Sequence, residues 1–376
     1  MAKLSILVPV TVRDEPPKTL LSLLAERPAP DIEILVAAEA ETAERLDLAA
    51  LGVIDSRIRI VTSPATLKTE LALWSFAIEA SRGDWLTLIR PADMIDTQLL
   101  AIADFVSGKL GLVDAIAWNA LAISADAEPG RSSSVAIPTK FDLAELDKTE
   151  MLKAFYLWEG AGNLPKMPFG LYHGLLRREF CLSVDRSIRE SGRQHDLPQW
   201  EWAARTVLMS EKLVFCSRPL STIDGKTYRV PPTYMTRGDF PFHGGIGITA
   251  ALAEIQFSVF AEMGALWSGS QENFVRACVY DCMTESDPQR FNDRCNAYYA
   301  AIRQWEGGQH AALFRPQFVG ERVPDTRRGL NGNLLFVDRH IAGARDAQEF
   351  YDVIRNFLVP IGIVCGKPAE TPAAAA

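Results

Sequence analysis

Positive charge is in short supply in this chain. Its 39 lysines and arginines are outnumbered by 47 aspartates and glutamates, which gives a net charge of -8 and a pI near 5.3. A nucleic-acid partner requires a face rich in lysine and arginine to neutralise phosphates. The composition therefore argues against nucleic acid as a partner and is compatible only with a local basic pocket.

Cysteine is also scarce. The six residues are Cys181, Cys216, Cys278, Cys282, Cys295 and Cys365. They do not form the dense framework of a small disulfide-bonded domain, so we expect reduced thiols and a cytoplasmic protein, with attachment to the inner face of a membrane left open. Two of them lie four residues apart on a predicted helix, but that spacing matches no usual zinc site and buried free thiols explain it better.

Long apolar runs are absent as well. Residues 248–263 come closest to a membrane span but contain two glutamates, and residues 4–10 are too few for the apolar part of a secretory signal. We therefore expect no transmembrane segment and interpret residues 4–10 as a first strand.

Three widespread sequence motifs are missing. The first strand is not followed by G-x-G-x-x-G, and neither G-x-S-x-G nor a phosphate loop ending in Gly-Lys-Ser/Thr occurs. These absences argue against a nicotinamide-dependent enzyme, a serine hydrolase of the nucleophile-elbow type and a P-loop enzyme.

What the sequence does contain is a regular alternation of strand and helix patterns. Apolar, β-rich runs at residues 4–10, 32–37, 57–61, 85–89 and 113–123 predict strands, and residues 66–82 and 97–106 predict helices. Asp14 is predicted to cap a first helix, and Gly83 to end the helix at 66–82. This alternation predicts a doubly wound α/β sheet. Ligands of such sheets bind at the carboxyl ends of the strands, near the point where strand order reverses.

The rest of the chain is less regular. Residues 126–139 are predicted to be a loop or domain seam, and residues 230–247 a long loop or lid. Helices are predicted at 143–158 and 199–209, and residues 248–304 are predicted to be mainly helical.

The first 125 or so residues resemble the family 2 glycosyltransferases of the GT-A fold. The resemblance rests on the order and spacing of four segments, which are residues 4–10 (LSILVPV), 31–36 (DIEILV), 77–84 (AIEASRGD) and 85–93 (WLTLIRPAD). It implies a GT-A-type, mostly parallel sheet with a mixed acceptor region. It also implies transfer of a sugar from a nucleotide diphosphate donor to a saccharide, glycoconjugate or similar hydroxyl acceptor, as in polysaccharide biosynthesis.

The resemblance for the first two parts, and sequence pattern for the last two, predict four parts of the chain. Residues 1–125 would bind the nucleotide sugar, and residues 126–247 would form the acceptor side with its lid loop. Residues 248–366 would form a helical region, available for a homodimer contact, and residues 367–376 a disordered tail.

On the donor side, the resemblance also shows where this chain departs from the family. The family's pair of aspartates after strand two corresponds to Ala38 and Glu39, and its D-x-D-D stretch after strand four corresponds to residues 90–93, which keep only the last acid, Asp93. One carboxylate is a poor Mg²⁺ or Mn²⁺ site. Arg90 could instead pair with the diphosphate, and the alternative is that it pairs with Asp93 or a neighbouring helix. The donor-side candidates are Pro9, Thr11, Arg13, Glu39, Lys68, Arg90 and Asp93.

On the acceptor side, residues 172–178 and 197–200 resemble segments of some family members. The candidates are Tyr172, His173, Arg177, Gln199 and Trp200. Gln199 stands where the family has a carboxylate, and an amide cannot act as a base. Asp196, His173 and Glu201 are the candidate catalytic groups. For each a structural role is the alternative: helix capping for Asp196, a surface charge for Glu201 and a backbone-satisfied histidine for His173.

Two other functional classes remain open at this stage. The first is a catalytically inactive relative that acts as a scaffold or sugar-binding subunit, because several acidic positions have changed. The second is a nucleotidyltransferase built on a similar sheet.

Overall fold

The computed structural model describes residues 3–27, 29–64, 66–67, 69–123, 134–166, 169–192, 197–225, 240–264, 269–320 and 325–366. The strands are β1 (Leu4–Val10), β2 (Ile32–Glu39), β3 (Ile58–Ser63), β4 (Trp85–Leu88), β5 (Met94–Ile95), β6 (Ala115–Trp118), β7 (Leu121–Ile123), β8 (Ser134–Pro138), β9 (Leu143–Glu145), β10 (Gly174–Arg177), β11 (Leu213–Cys216), β12 (Ser221–Asp224), β13 (Gly329–Asn331) and β14 (Leu334–Asp338). The α-helices are α1 (Lys18–Ala25), α2 (Ala40–Arg45), α3 (Glu70–Ala80), α4 (Leu99–Leu110), α5 (Lys148–Tyr156), α6 (Arg178–Ser191), α7 (Pro198–Met209), α8 (Ile248–Glu262), α9 (Gln271–Cys282), α10 (Pro288–Gln304), α11 (Ala347–Ile354) and α12 (Ile361–Val364).

Eight strands form the central sheet, in the order β3-β2-β1-β4-β10-β6-β11-β9. Strands β1 to β4 are parallel, β10 runs antiparallel to β4 and β6, and β9 is antiparallel to β11. The predicted doubly wound, mostly parallel α/β sheet with a mixed second half is therefore confirmed. Strand order reverses between β1 and β4, because β2 and β3 lie on one side of β1 and β4 lies on the other.

Both faces of this sheet are covered, which explains why β1 is apolar apart from Ser5. All seven of its residues are buried. Leu4, Ile6 and Val8 belong to the core under α1, α4 and α11, whereas Leu7 faces the core under α3 and α5 to α10. This two-residue alternation is the one expected of a strand between two layers of helices.

Two predicted elements are wrong because short strands pair with distant partners. The single strand expected at 113–123 is divided into β6 in the central sheet and β7, which pairs with β12 in a second sheet. The helix expected at 143–158 begins only at α5, where Asp147 caps it by accepting from the Glu150 N–H at 3.0 Å. Residues 143–145 instead form the edge strand β9.

Two predicted helix signals have other roles. Asp14 does not cap α1, whose N-cap is Pro17, but closes a turn after β1 by accepting from Thr11. Gly83 does not end α3, which stops at a Ser81 cap. A Cβ at Gly83 would lie 2.5 Å from the backbone nitrogen of Ser5, so glycine is required there for close approach of two backbones.

The last part of the chain packs against the two small sheets and against α1. Strand β14 pairs with β8, and α11 packs against α1, β5 and β12. Phe350, Tyr351 and Ile354 of α11 are fully buried in the core that contains Leu4 and Ile6. The helical content expected between residues 248 and 304 is confirmed by α8, α9 and α10, while the division of the chain into four functional parts stays a prediction.

Within the described ranges there is no helix long and apolar enough to cross a membrane. The predicted tail, residues 367–376, lies outside the described residues. So do residues 126–133 of the predicted seam and residues 230–239 of the predicted lid.

Candidate functional site

Two short turns follow the carboxyl ends of β1 and β4, where strand order reverses, and we call the edge of the sheet between these turns the crevice. After β1, the N–H and the hydroxyl of Thr11 both donate to Asp14 Oδ2, at 2.7 and 2.6 Å, and the exposed Arg13 lies within this turn. After β4, the N–H of Asp93 donates to the Arg90 carbonyl at 3.0 Å and closes a second turn, residues 90–93. A ligand of this fold class would contact both turns.

Asp93 organises the second turn. Only 1% of it is exposed, and its Oδ2 accepts from the Arg90 N–H at 2.8 Å and the Tyr172 hydroxyl at 2.9 Å. The same oxygen contacts His173 Nε2 at 3.0 Å, and Oδ1 accepts from the Asp224 N–H at 3.0 Å. We call these five residues the Asp93 cluster. It joins β4, β10 and β12 at one edge of the sheet.

The Asp93 carboxylate is anionic in this setting. Burial alone would raise its pKa, but the charge and hydrogen bond of His173, with the N–H groups of Arg90 and Asp224, outweigh burial and hold the pKa below its ordinary value. The cluster therefore keeps a fixed negative charge beneath the crevice.

His173 continues the network inward. Its Nδ1 lies 2.7 Å from Ser221 Oγ, which also accepts from the Trp118 indole N–H at 2.7 Å. A carboxylate only accepts, so Nε2–H donates to Asp93, while Nδ1 and Ser221 Oγ share a hydrogen bond between them. His173 has a left-handed backbone (φ +53°) and is 5% exposed.

A tight loop holds His173 in this conformation. A Cβ on the following residue, Gly174, would lie 2.1 Å from the Gly170 carbonyl oxygen, so only glycine fits there. Both ring nitrogens of His173 are thus committed to buried partners, and its backbone is fixed by packing.

Arg90 extends from the turn toward α3. Its guanidinium pairs with Glu70 at 3.1 Å and lies 5.1 Å from the centre of the Tyr172 ring. Its side chain remains 40% exposed. Burial works against its charge, but the adjacent Tyr172 and the carboxylates of Glu70 and Asp93 outweigh burial and hold its pKa above the ordinary value. The sequence left open whether Arg90 binds a diphosphate or pairs with Asp93 or a neighbouring helix. In the structure it pairs with Glu70 of the neighbouring helix α3, and it remains a permanent cation at the crevice.

The other donor-side candidates have mixed placements. Glu39, at the end of β2, accepts from the Leu67 N–H at 2.9 Å and is half-buried, so it ties the β3–α3 connection to the edge of the sheet. Pro9 is buried within β1, opposite Ala37 of β2. Lys68 lies outside the described residues.

The acceptor-side candidates divide into two groups. Tyr172 and His173 belong to the Asp93 cluster, whereas Arg177 pairs in register with Trp85 at the start of β4 and therefore lies at the opposite edge of the sheet. The structure does not bring Arg177 to the crevice, because β10 runs antiparallel to β4 and its two ends lie at different edges.

The first turn of α7 carries the remaining candidates. Gln199 is half-buried, and Trp200 packs against Phe155 with ring centres 6.2 Å apart. Glu201 is 1% exposed and pairs with Arg205 at 2.6 Å. It is therefore not a surface charge, which was the alternative to a catalytic role. Asp196 lies outside the described residues.

Several neighbours of the cluster were missed by sequence reasoning. They are Glu70, Trp118, Ser221, Asp224 and Gln348. All five carry ordinary side chains in ordinary patterns. Only the tertiary structure brings them to residues 90–93.

The resemblance implies a divalent metal, and the residues at this turn do not fit one. Mg²⁺ and Mn²⁺ are held by carboxylates, phosphates and waters. The Asp93 oxygens already accept from four protein donors, and residues 90 and 92 offer no carboxylate. A cation at this turn would have to displace those donors.

Comparison with known proteins gives no sequence relative. No family model and no curated protein matches the chain. Among solved structures, residues 1–349 of S. aureus TarS in complex with UDP-GlcNAc are 12% identical over 83% of this chain and 90% of that chain, with a TM-score of 0.45. The complex of the same fragment with UDP has the same identity and coverage and a TM-score of 0.46. A mycobacterial protein is 13% identical over 70% of this chain and 76% of that chain, with a TM-score of 0.35. At TM-scores below 0.5 these similarities carry no argument, and the fold class rests on the strand order described above.

Proposed function

We propose that this chain is a GT-A-type glycosyltransferase that moves a sugar from a nucleotide diphosphate donor to a saccharide or similar hydroxyl acceptor. The observation that carries the proposal is the position of Arg90, a half-exposed cation on a turn fixed by Asp93, at the crevice where strand order reverses. This crevice is where α/β sheets of this kind bind their ligands.

In this proposal Arg90 binds the diphosphate. A guanidinium offers several N–H donors in a plane and binds phosphate oxygens bidentately. Its present partner, Glu70, is one-third exposed, so a diphosphate can replace that carboxylate at small cost. When the sugar leaves, negative charge accumulates on the nucleoside diphosphate, and a fixed cation at this place stabilises that charge.

The nucleoside would lie toward β2. Glu39 keeps a carboxylate at the end of β2 and uses Oε1 for the Leu67 N–H, so its remaining lone pairs can accept from ribose hydroxyls. Arg13, exposed beside the end of β1, would contact the phosphates from the other side of the crevice.

The acceptor would approach over Tyr172 and α7. His173 is a poor base in this arrangement, because both ring nitrogens contact buried partners, and we assign it the role of positioning Asp93 and Tyr172. Glu201 is neutralised by Arg205. Asp196 therefore remains the proposed base for the acceptor hydroxyl.

A second candidate function is a binding protein that has lost transfer. Gln199 favours it, since an amide occupies the place of the family's carboxylate. Such a protein would bind the nucleotide sugar without turning it over, and the C-terminal helices would then serve contacts with a second copy or another partner.

Thermal unfolding and a transfer assay test the proposal together. UDP or GDP at millimolar concentration should raise the melting temperature, because a ligand that binds only the folded state stabilises it. Sugar release from the matching donor that persists in EDTA supports the arginine mechanism. Binding without turnover supports the binding protein, and pyrophosphate release from a nucleoside triphosphate and a sugar phosphate supports a nucleotidyltransferase. No melting shift with these or any other common nucleotide contradicts all three.

A further inference from the structure

The turn that carries Arg90 is held from behind by a helix more than 250 residues later in the sequence. Gln348 of α11 is 5% exposed, and its Nε2 donates to the Pro91 carbonyl at 2.7 Å and to the Asp93 carbonyl at 3.3 Å. These two carbonyls flank Ala92 on the buried side of the turn. One amide group therefore satisfies both of them.

Water cannot easily replace this amide as the hydrogen-bond donor to the two carbonyls. Pro91 is buried, as is Asp93, so their carbonyl oxygens have limited access to water. A buried carbonyl that loses its donor carries the full cost of its desolvation. The conformation of residues 90–93 is thus coupled to the presence of Gln348.

Further contacts fix α11 in place around the same segment. The Thr222 hydroxyl of β12 donates to the Ala347 carbonyl at 2.7 Å, and the Tyr351 hydroxyl lies 3.1 Å from Asp96 Oδ2. Arg218 also pairs with Asp96, at 3.3 Å. Strand β12 in turn contributes the Asp224 N–H to Asp93. Helix α11 and strand β12 therefore support the Arg90 turn as one unit.

We propose that Gln348 is a positioning residue for the diphosphate site, and that α11 holds the 90–93 turn in the conformation that presents Arg90 to the crevice. This inference rests on the proposed function of Arg90. It makes the C-terminal segment part of the donor site, although the segment lies far from the first 125 residues in sequence.

The substitution Gln348→Met tests this, because methionine keeps the length and volume of glutamine but cannot donate. Gln256→Met is the matched control. Gln256 is 1% exposed and likewise donates its Nε2 to a backbone carbonyl, that of Phe155, at 2.7 Å, in the opposite core. Both variants lose a buried amide, but only one amide touches the Arg90 turn.

The measurement is calorimetric binding of UDP and GDP, and of uridine and guanosine, to the full chain. For the diphosphate that binds wild type, Gln348→Met should weaken binding by about tenfold, whereas the nucleoside alone should bind as it does to wild type. Gln256→Met should bind both within about twofold of wild type, even if its melting temperature falls as much. In an Arg90→Met background, Gln348→Met should cause no further loss, because it acts through Arg90.

Each outcome separates the two proposals. If wild type binds neither diphosphate, the proposed function is wrong and this inference is wrong with it. If wild type binds and Gln348→Met binds equally well, or loses nucleoside and diphosphate alike, only the positioning role is wrong. Should Gln348→Met not fold, Thr222→Val removes the contact between β12 and α11 with little change of shape, and the same diphosphate-specific loss is expected from it.

Discussion

Two buried aspartates, one in the candidate site and one among the C-terminal helices, show how different surroundings give one side chain two roles. Asp93 and Asp281 are each 1% exposed, and each accepts a hydrogen bond from a buried tyrosine, Tyr172 or Tyr298. Their pKa values nevertheless move in opposite directions. The pKa of Asp93 is lowered, whereas that of Asp281 is raised.

The difference lies in which groups surround each carboxylate, since burial is the largest effect at both. At Asp281, burial is not outweighed by the Tyr298 hydroxyl at 2.5 Å, the Arg294 guanidinium at 3.7 Å, the Thr249 N–H at 3.4 Å and the Asn163 side chain. At Asp93, an imidazole and two backbone N–H groups outweigh it. The first site keeps an anion under the crevice, and the second links α8, α9 and α10 without needing full charge.

The two aspartates should differ most in the stability that is lost when each charge is removed. In Asp93→Asn, an NH2 group that cannot accept replaces one of the two oxygens that accept hydrogen bonds from four donors. We expect this substitution to lower the free energy of unfolding by about 3–5 kcal/mol and to abolish nucleotide binding. Asp281→Asn should cost only about 1 kcal/mol and leave binding intact, because a neutral side chain is better tolerated there. Urea denaturation of both variants measures the difference, and equal losses would contradict it.

Removing the cation that the Asp93 cluster supports should affect binding more than stability. Arg90→Met is expected to weaken nucleoside diphosphate binding by about 2 kcal/mol, or roughly thirtyfold, because it removes charge-assisted hydrogen bonds. Its melting temperature should hardly change, since the Arg90–Glu70 pair is half-exposed. Arg276→Met is the control, an exposed arginine that pairs with Glu272 on α9. If both variants bind equally well, Arg90 is not a diphosphate ligand.

The pH dependence of stability should differ in sign between the two aspartates. Because the folded pKa of Asp93 is lowered, its contribution is present above its unfolded pKa, about 3.9, and is lost as pH falls through the folded value. Asp281 has a raised folded pKa, so its folded form takes up a proton first and its contribution improves as pH falls toward about 3.9.

Comparing wild type with each asparagine variant from pH 7 to pH 3 isolates these contributions. The stability advantage of wild type over Asp93→Asn should shrink below pH 4, and that over Asp281→Asn should grow on the way down, each by on the order of 1 kcal/mol. Parallel curves for the two pairs would show that the two sites do not differ in charge.

The smallest effect is expected from replacing Glu70, the carboxylate that pairs with Arg90. Glu70→Gln weakens the competing ion pair, so nucleoside diphosphate binding should improve by about two- to threefold, in keeping with the weakness of exposed pairs. Glu79→Gln is the matched control, since Glu79 lies at the other end of α3 and pairs with Arg189. Weaker binding by Glu70→Gln would mean that Glu70 orients Arg90 for the ligand.

Sequence alone predicts the parts of this molecule that depend on local pattern. Strand β1 was predicted with its observed bounds because a run that is apolar apart from Ser5 suits a doubly covered strand. Strand β9 was missed, as was the division of residues 113–123 into β6 and β7, because three-residue strands are defined by distant partners and not by their own composition.

The candidate site likewise has residues that local sequence pattern predicts and residues that only distant contacts bring in. Residues 90–93 were found because they follow a predicted strand at the expected edge of the sheet. Ser221 and Gln348 were not, since each reaches the Asp93 cluster across more than 40 residues of chain, from Ser221 to His173 and from Gln348 to Asp93. No periodicity or spacing in one sequence encodes such contacts.

The central claim is that a fixed arginine, and not a metal, holds a diphosphate at the crevice between β1 and β4. Calorimetric titration of the full chain with UDP and GDP in the presence of EDTA tests it most directly. The account predicts that one of the two binds in EDTA with an affinity that added Mg²⁺ or Mn²⁺ does not change. Binding that appears only when the divalent cation is added would contradict it.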